Sequence, residues 1–262
     1  MHKIWVITRK EWAEVFKNRF VLFTIAFLPL MLTALPLGVL YAAGSGGEAG
    51  LSSTDMPPQF AQICQGLSGE ECGEYYLVST FLILYMLMPL AIPVTIAAYS
   101  IVGEKATRTL EPVLAAPIST LQLLVGKALA ASLPAILVTW FGFGVFAVGV
   151  RLISVSPGVS AKLLDPVWLV AVFIVGPLLA LAAVSVAVMV SSRVNDPRVA
   201  EQVSMLVILP LLGLFFGQIA GLIYINQRLI LLMAGVLVVA DALLLTLATQ
   251  LFERETILTR WK

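Results

Sequence analysis

Long uncharged apolar runs dominate this chain, and short polar segments separate them. The hydrocarbon core of a bilayer is ~30 Å thick, so a helix needs ~20 apolar residues to cross it. Runs of this length predict six membrane-spanning helices, over 20–43, 77–102, 121–150, 167–190, 203–225 and 229–251. Lipid cannot satisfy exposed backbone groups, and the runs lack the short alternation of a membrane β-barrel. The predicted fold is therefore an all-α polytopic membrane protein.

Composition supports a membrane protein and argues against an enzyme. Hydrophobic residues make up 60% and charged residues 12% of the chain, and its mean hydropathy is +1.00. One histidine, His2, and two cysteines leave little material for a histidine-based metal site or catalytic triad. The pair Gly126-Lys127 lacks the upstream glycine of a phosphate-binding loop and is followed by Ala128. We expect no metal, no bound cofactor and no nucleic-acid partner, so any energy source must be another molecule.

Lysine and arginine are distributed unevenly between the two sides that six spans define. Thirteen lie on the side that holds both termini: Lys3, Arg9, Lys10, Lys17, Arg19, Lys105, Arg108, Lys127, Arg193, Arg198, Arg254, Arg260 and Lys262. The other side holds Arg151, Lys162 and Arg228. Because loops rich in lysine and arginine stay in the cytoplasm, we expect the N and C termini there.

The segment 1–19, before the first span, is amphipathic at helical spacing. One face of a helical wheel carries Trp5, Trp12, Val15, Phe16 and Phe20, and the other carries Lys3, Lys10, Glu14, Lys17 and Asn18. This pattern is typical of a helix that lies in the membrane interface with its aromatic side chains toward the lipid. The alternative is a basic flank that only sets the topology of the first span.

The longest loop, 44–76, is predicted on the outer side. It carries five acids and no lysine or arginine. It also contains Cys64 and Cys72, and an outer compartment is where two such thiols can be oxidised. We hypothesise a disulfide between them, and two free thiols are the alternative.

Two features inside the predicted spans are candidate sites. In the fifth span, Gly213, Gly217 and Gly221 recur at four-residue spacing, which predicts a face for close helix packing, with a pore lining as the alternative. In the sixth span, Asp241 is an acid at membrane depth, which costs ~3 kcal/mol to insert. It either contacts a cation, proton or substrate, or is a structural acid that is protonated or hydrogen-bonded to Ser, Thr or Gln. A secondary transporter and a membrane-embedded enzyme using Asp241 are the rival functions.

The stretch 103–120 joins the second and third spans on the predicted cytoplasmic side. Within it, 110–116 can form a short amphipathic helix on the membrane surface, which Pro117 ends before Ser119 caps the third span. Lys127, just inside that span, is expected to extend its side chain to the surface. The residues alone fit either an ordinary loop or a segment that receives force from a soluble partner.

The stretch reads GEKATRTLEPVLAAPIS and resembles the signature of ABC-2 type transporter permeases. The matching residues are Gly103, Glu104, Lys105, Thr109, Leu110, Glu111, Pro112, Leu114, Pro117, Ile118 and Ser119. Arg108 departs from the pattern, since the family often has glycine there. The resemblance extends to the N-terminal helix, the six spans, SSRVND between the fourth and fifth spans, and the segment 254–261.

The resemblance implies a permease subunit of an ATP-driven exporter in a prokaryotic cytoplasmic membrane. A separate soluble ABC ATPase would bind ATP and magnesium and dock on 103–120, with 191–202, including Arg193 and Asp196, as a secondary contact. A second permease subunit, identical or related, would complete the transporter. The second and fifth spans would line the route at the interface between the two subunits, near Pro89, Pro93 and the glycine stripe.

Overall fold

The computed structural model describes residues 2–44, 60, 64, 67, 69–106, 119–154 and 157–251. All regular secondary structure within these ranges is helical, as the hydrophobic pattern predicts. Six segments of them are long and apolar enough to cross a membrane: Val21–Ala42, Glu71–Glu104, Leu121–Ile153, Pro157–Arg193, Pro197–Ile219 and Gln227–Gln250. The all-α polytopic fold with six spans is thereby confirmed.

Long helices form the first three spans. The helices of this half are α1 (His2–Val15), α2 (Arg19–Gly44), α3 (Gly69–Tyr85), α4 (Met88–Ala106) and α5 (Thr120–Ile153). The first span is α2, the second is α3 followed by α4, and the third is α5. Ser119 begins α5 with a capping box, in which its hydroxyl accepts from the Gln122 N–H and its own N–H donates to the Gln122 side chain. These bonds satisfy backbone donors that have no partner inside the helix.

Shorter elements build the fourth and fifth spans. The elements of this half are α6 (Pro157–Leu163), α7 (Pro166–Val170), a π-helix (Ala171–Val175), α8 (Gly176–Arg193), α9 (Pro197–Ser204), a 3-10 helix (Met205–Ile208), α10 (Leu209–Ile219) and α11 (Gln227–Leu251). The fourth span runs from α6 to α8, the fifth from α9 to α10, and the sixth is α11. Within the segment 191–202, α8 continues to Arg193 and α9 begins at Pro197, where the Asp196 carboxylate caps the first turn.

Helix α3 begins at Gly69, inside the range 44–76 that the sequence predicts as a loop. The loop prediction therefore extends too far, and the reason is a small apolar cluster outside the main core: Phe60, Cys64, Cys72, Tyr75 and Tyr76. Cys64 and Cys72 form a disulfide in the structure, with Cα atoms 5.4 Å apart. Trp168 of α7 donates its indole N–H to the Tyr75 hydroxyl over 3.3 Å. These contacts stabilise the first turns of α3, which are too polar for a hydropathy window to include.

The second span lies at the centre of the bundle. In its most apolar window 78% of residues are buried, compared with 22% in the first span and 17% in both the fifth and sixth. Its second half, α4, packs along α8 and also contacts α5 and α9. We call the end of the bundle that holds α1 the α1 end, and the end that holds the Cys64–Cys72 bridge the disulfide end.

Candidate functional site

The stretch 103–120 is described at its two ends. Gly103 and Glu104 lie in the last turns of α4, the backbone of Lys105 continues that helix, and Ser119 caps α5. The signature residues Thr109, Leu110, Glu111, Pro112, Leu114 and Pro117, and the surface helix predicted over 110–116, lie outside the described residues. The structure thus shows how each end of the stretch is held.

A buried ionic cluster holds the α4 end of the stretch. It joins Glu11 of α1, Glu104 of α4 and Lys127 of α5, whose side chains are 2%, 4% and 2% exposed. The ammonium of Lys127 lies 2.8 Å from Oε1 of Glu11 and 2.8 Å from Oε2 of Glu104. The hydroxyl of Ser100 accepts from Lys127 over 2.8 Å and donates to Glu11 over 2.5 Å. Three elements that are distant in sequence are therefore tied at one point.

Lys10 adds a second positive charge at the open edge of the cluster. It pairs with Glu104, and its ammonium lies 3.6 Å from Glu11 and 3.3 Å from Glu14. Burial lowers the pKa of Lys10, but the hydrogen bond to Glu104 and the three nearby carboxylates raise it above its ordinary value. Glu11, Glu14 and Glu104 approach closely enough to hold a metal ion, yet the two ammonium groups already neutralise the two buried carboxylates.

Helix α1 docks on α5 partly through the face that the helical wheel predicts toward lipid. Trp12 of that face donates its indole N–H to the carbonyl of Ala130 over 3.0 Å, and Val15 is buried in the core, so for these two residues the prediction of lipid contact is wrong. The hydroxyl of Thr8 donates to the carbonyl of Gly126 over 3.1 Å. A Cβ at Gly126 would lie 2.8 Å from Cγ2 of Ile7, so glycine permits the close approach of the two helices.

The rest of the predicted aromatic face behaves as expected. Trp5 and Phe16 are exposed, as are residues of an interfacial helix that contact lipid.

The expectation that Lys127 extends to the membrane surface is wrong. Its ammonium stays inside the bundle because carboxylates from α1 and α4 neutralise it there. Removing one partner of a buried ion pair leaves an uncompensated charge, which typically costs ~3–5 kcal/mol. Hydropathy could not predict the cluster, since Glu11 and Lys127 are 116 residues apart and each reads as an isolated charge. The cluster could have been predicted from two features of the sequence, a lysine inside a span and acids in the preceding amphipathic helix.

The second predicted contact loop also packs on α4. The hydroxyl of Thr95 donates to the Glu201 carboxylate of α9 over 2.7 Å. Ala200 of α9 is buried against Ala98 and Val102 of α4. Helix α4 therefore contacts both α1 and α9, and its last residues are the start of the stretch 103–120.

Arg193 and Asp196, the candidate residues of this loop, have different surroundings. Arg193 is exposed in the last turn of α8, whereas the Asp196 carboxylate accepts from the N–H groups of Arg198 and Val199 as the cap of α9. A contact of either residue with another protein stays a prediction.

Comparison with known proteins identifies the family of the chain. The family model described as "ABC-2 family transporter protein" matches residues 5–235, from α1 into the first turns of α11. The chain belongs to the ABC-2 transporter family. It is an integral membrane subunit of an ABC transporter.

Two curated relatives carry the name "Probable ABC transporter permease protein NosY". The one from Pseudomonas aeruginosa is 32% identical over 165 residues, which are 63% of this chain and 50% of the relative. The one from Stutzerimonas stutzeri is 29% identical over 153 residues, which are 58% of this chain and 47% of the relative. The chain thus spans about half the length of the curated relatives it matches. Both relatives are bacterial, in agreement with an integral protein of a bacterial membrane.

The glycines of the fifth span do not form the predicted stripe in this ABC-2 subunit. Helix α10 ends before Gly221, which has a φ of 70°. The N–H of Leu222 donates to the Gly217 carbonyl over 2.9 Å, and the N–H of Gly221 donates to the Gln218 carbonyl over 3.0 Å. This is a Schellman motif, which ends a helix and favours glycine at the position with positive φ. Gly221 therefore caps the helix and does not belong to a packing face.

The other two glycines also differ from each other. A Cβ at Gly217 would lie 3.0 Å from Cδ1 of Ile223, so this glycine accommodates the turn of its own chain. No described atom lies within 4 Å of a Cβ at Gly213. Of these two, Gly213 faces open space, where a neighbouring helix could pack.

Asp241 lies on the buried side of α11 and is 4% exposed. Neither carboxylate oxygen has a hydrogen-bond partner among the described residues. Of the two forms of the structural acid, the one hydrogen-bonded to Ser, Thr or Gln is absent from the structure, because no such side chain among the described residues reaches the carboxylate. A protonated acid and a ligand contact both stay predictions.

Proposed function

We propose that this ABC-2 subunit is the permease of an exporter and that a separate soluble ABC ATPase, which binds ATP and magnesium, drives it. The buried cluster of Glu11, Glu104 and Lys127 carries the proposal. It lies where α4 enters the stretch 103–120 and ties that helix to α1 and α5. A force applied to the stretch would move α1, α4 and α5 together.

The packing of the second loop supports the same site. Helix α9 contacts α4 through Thr95 and Glu201, so an ATPase touching both loops would act on one helix of the permease. Because α4 belongs to the most buried span, its displacement would reach the centre of the bundle. The connection of both loops to one buried helix fits a subunit that receives mechanical work and has no ATP-binding sequence of its own.

The distribution of lysine and arginine gives the orientation of the proposed transporter in the membrane. We place both termini and both contact loops in the cytoplasm, and the disulfide end outside the cytoplasmic membrane, because lysine and arginine accumulate at the α1 end. A second permease subunit, identical or related, would cover part of the exposed apolar surface of the first, fifth and sixth spans, and lipid would cover the rest. The second span does not fit the place at this interface that the resemblance implies for it, because it is the most buried of the six, with Pro89 and Pro93 inside the subunit.

Recovery of an ATPase with the purified permease tests this proposal. The permease is expressed with each candidate ABC ATPase of its own genome, and we expect one of them to purify with it. Combined replacement of Leu110, Glu111 and Leu114 by alanine should abolish recovery of the ATPase at equal amounts of permease. The exposed Lys17 provides the control variant Lys17→Ala, which should retain the ATPase.

Retention of the ATPase by the triple variant would contradict docking on 103–120. Failure of the unmodified permease to recover any ATPase would contradict the proposed function as a whole. If the chain is instead a secondary transporter, or a membrane enzyme acting through Asp241, it would be active without an ATPase.

A further inference from the structure

The second span is interrupted at the middle of its length. Between α3 and α4, the N–H groups of Met86 and Leu87 bond to carbonyls three residues back, where an α-helix would bond four residues back. Pro89 has no N–H to donate to the carbonyl of Tyr85, which is the acceptor that the α-helical ladder would assign to it. A regular hydrogen-bond ladder is therefore broken over one turn.

The fourth span is interrupted as well. The π-helix Ala171–Val175 stands between α7 and α8, and Pro177 follows it in the first turn of α8. A proline inside a helix clashes with the carbonyl four residues back, and a π turn is one way to accommodate it. Trp140 of α5 donates its indole N–H to the carbonyl of Val172 over 3.3 Å. Single π turns inside α-helices are frequent at functional sites.

The two interruptions meet. A Cβ at Gly176 would lie 3.9 Å from Cγ of Pro89, so the backbone that follows the π-helix faces the proline of the other break. An apolar cavity of about 30 Å³ lies at this junction, and its lining includes Met86 of the second span and Ala171 and Val175 of the π-helix. A void in a close-packed interior gives the side chains around it room to repack when the helices bend.

The segments on the α1 side of the two breaks pack against each other. Helix α4 lies along α8 as the most extensive helix pair among the described residues. Glu104, near the end of α4, belongs to the buried cluster, and α8 leads into the second contact loop. We propose that the paired break is a hinge, about which α4 and α8 move as one body relative to the disulfide-end halves of their spans.

The hinge would extend the proposed function, on which its role in transport rests. It would convert force at the α1 end into a change of kink at mid-membrane. Helix α8 has 18 residues and is therefore about 27 Å long, so a change of about 20° in kink would move its end by about 9 Å.

Distances between paired spin labels on the reconstituted full-length permease test the hinge without the ATPase. One pair replaces Leu164, just before α7, and Asn195, just after α8; the other replaces Leu121 and Leu152 at the two ends of the continuous helix α5. These four positions are exposed. We expect a broader distance distribution for Leu164 and Asn195 than for Leu121 and Leu152. Equal widths in the unmodified protein would overturn the hinge.

Proline variants provide the matched comparison. Pro89→Ala combined with Pro177→Ala should narrow the distribution across the fourth span to the width of the α5 pair. Pro134→Ala, inside the uninterrupted α5, should leave that distribution unchanged. A folded double variant whose distance distribution across the fourth span is not narrower would refute the hinge. If the double variant does not fold, the comparison of the two label pairs in the unmodified protein still tests the hinge.

Addition of the ATPase and ATP separates the hinge from the proposed function. We expect the Leu164–Asn195 distance to shift by about 2 Å, because most of the displacement of the α8 end lies across the line that joins the two labels, and the Leu121–Leu152 distance to stay constant. A complex that hydrolyses ATP while both distances stay constant would refute the hinge and leave the proposed function intact. Loss of the ATPase during purification would refute the proposed function, while the distribution widths would still test the hinge.

Discussion

Lys127 is a lysine inside a span, and its charge is stable there because of two acids from other helices. Its ammonium lies 2.8 Å from a carboxylate oxygen of Glu11 and equally far from one of Glu104. Such a pair offsets the cost of burying each ion only when both partners are present. The three side chains should therefore behave as one unit in mutational experiments.

Replacement of Lys127 by methionine should lower the free energy of unfolding by ~3–5 kcal/mol, because two carboxylates would then be buried with less compensation. Equilibrium or thermal unfolding of the purified subunit in detergent measures the loss. Lys17→Met is the control, since Lys17 is exposed and surface replacements usually change stability by less than ~0.5 kcal/mol. Equal stability of the two variants would contradict a buried ionic cluster.

The glycines of the fifth span show how a sequence pattern can mislead. Gly213, Gly217 and Gly221 have the spacing of a packing stripe, and nothing in the spacing distinguishes a stripe from a helix end. The structure assigns Gly221 to a Schellman motif, with a φ of 70°. A glycine at positive φ is a local backbone requirement, whereas the hypothesis of a packing face assumed that the helix continues.

At the scale of elements, α1 was predictable as a helix but not in its contacts. Trp5 and Phe16 of the predicted aromatic face are exposed as an interfacial helix requires, but Trp12 and Val15 of the same face contact the bundle. Periodicity shows that a helix has an apolar face, but it does not show which part of that face meets lipid and which part meets another helix. The hydropathy pattern likewise predicts the second and fourth spans but not their breaks, because apolar runs look alike whether the ladder is regular or interrupted.

The close approach of α1 to α5 makes Gly126→Ala a sharp test of this contact. The added Cβ would meet Ile7 at 2.8 Å, and forced overpacking typically costs ~1–3 kcal/mol of stability. Gly144→Ala in the same helix is the matched control, because no described atom lies within 4 Å of its new Cβ and alanine favours a helix. Unfolding of both variants in detergent compares them, and a Gly126→Ala variant as stable as Gly144→Ala would show that α1 is not docked.

At the scale of the whole molecule, six apolar runs sufficed to predict the fold class. A bilayer imposes a minimum length on every span, so hydropathy alone counts them. The start of α3 at Gly69 was missed, since the cluster around Cys64 and Cys72 stabilises turns that are polar in sequence. Tertiary contacts of this kind depend on residues far apart in the chain, and a single sequence does not show which of them meet.

The predicted orientation and the disulfide can be tested in one experiment on intact cells. We expect a membrane-impermeant thiol reagent to leave Cys64 and Cys72 unmodified until a reductant is added, and to modify both afterwards, because the predicted orientation places the disulfide end outside the membrane. Mass spectrometry of the purified protein reads the modification. Alkylation without reductant would refute the bridge, and resistance after reduction, with labelling restored in permeabilised cells, would refute the orientation.

The buried cluster of Glu11, Glu104 and Lys127 would hold the stretch 103–120 in position for the proposed ATPase, and replacement of Lys127 tests this role. Recovery of the co-expressed ATPase is measured with equal amounts of folded permease carrying Lys127→Glu or the charge-conserving Lys127→Arg. We expect Lys127→Glu to lose most of the ATPase, because it places a third carboxylate beside Glu11 and Glu104 in the interior, and Lys127→Arg to keep most of it. A folded Lys127→Glu variant that keeps the ATPase at the unmodified level would contradict this role of the cluster.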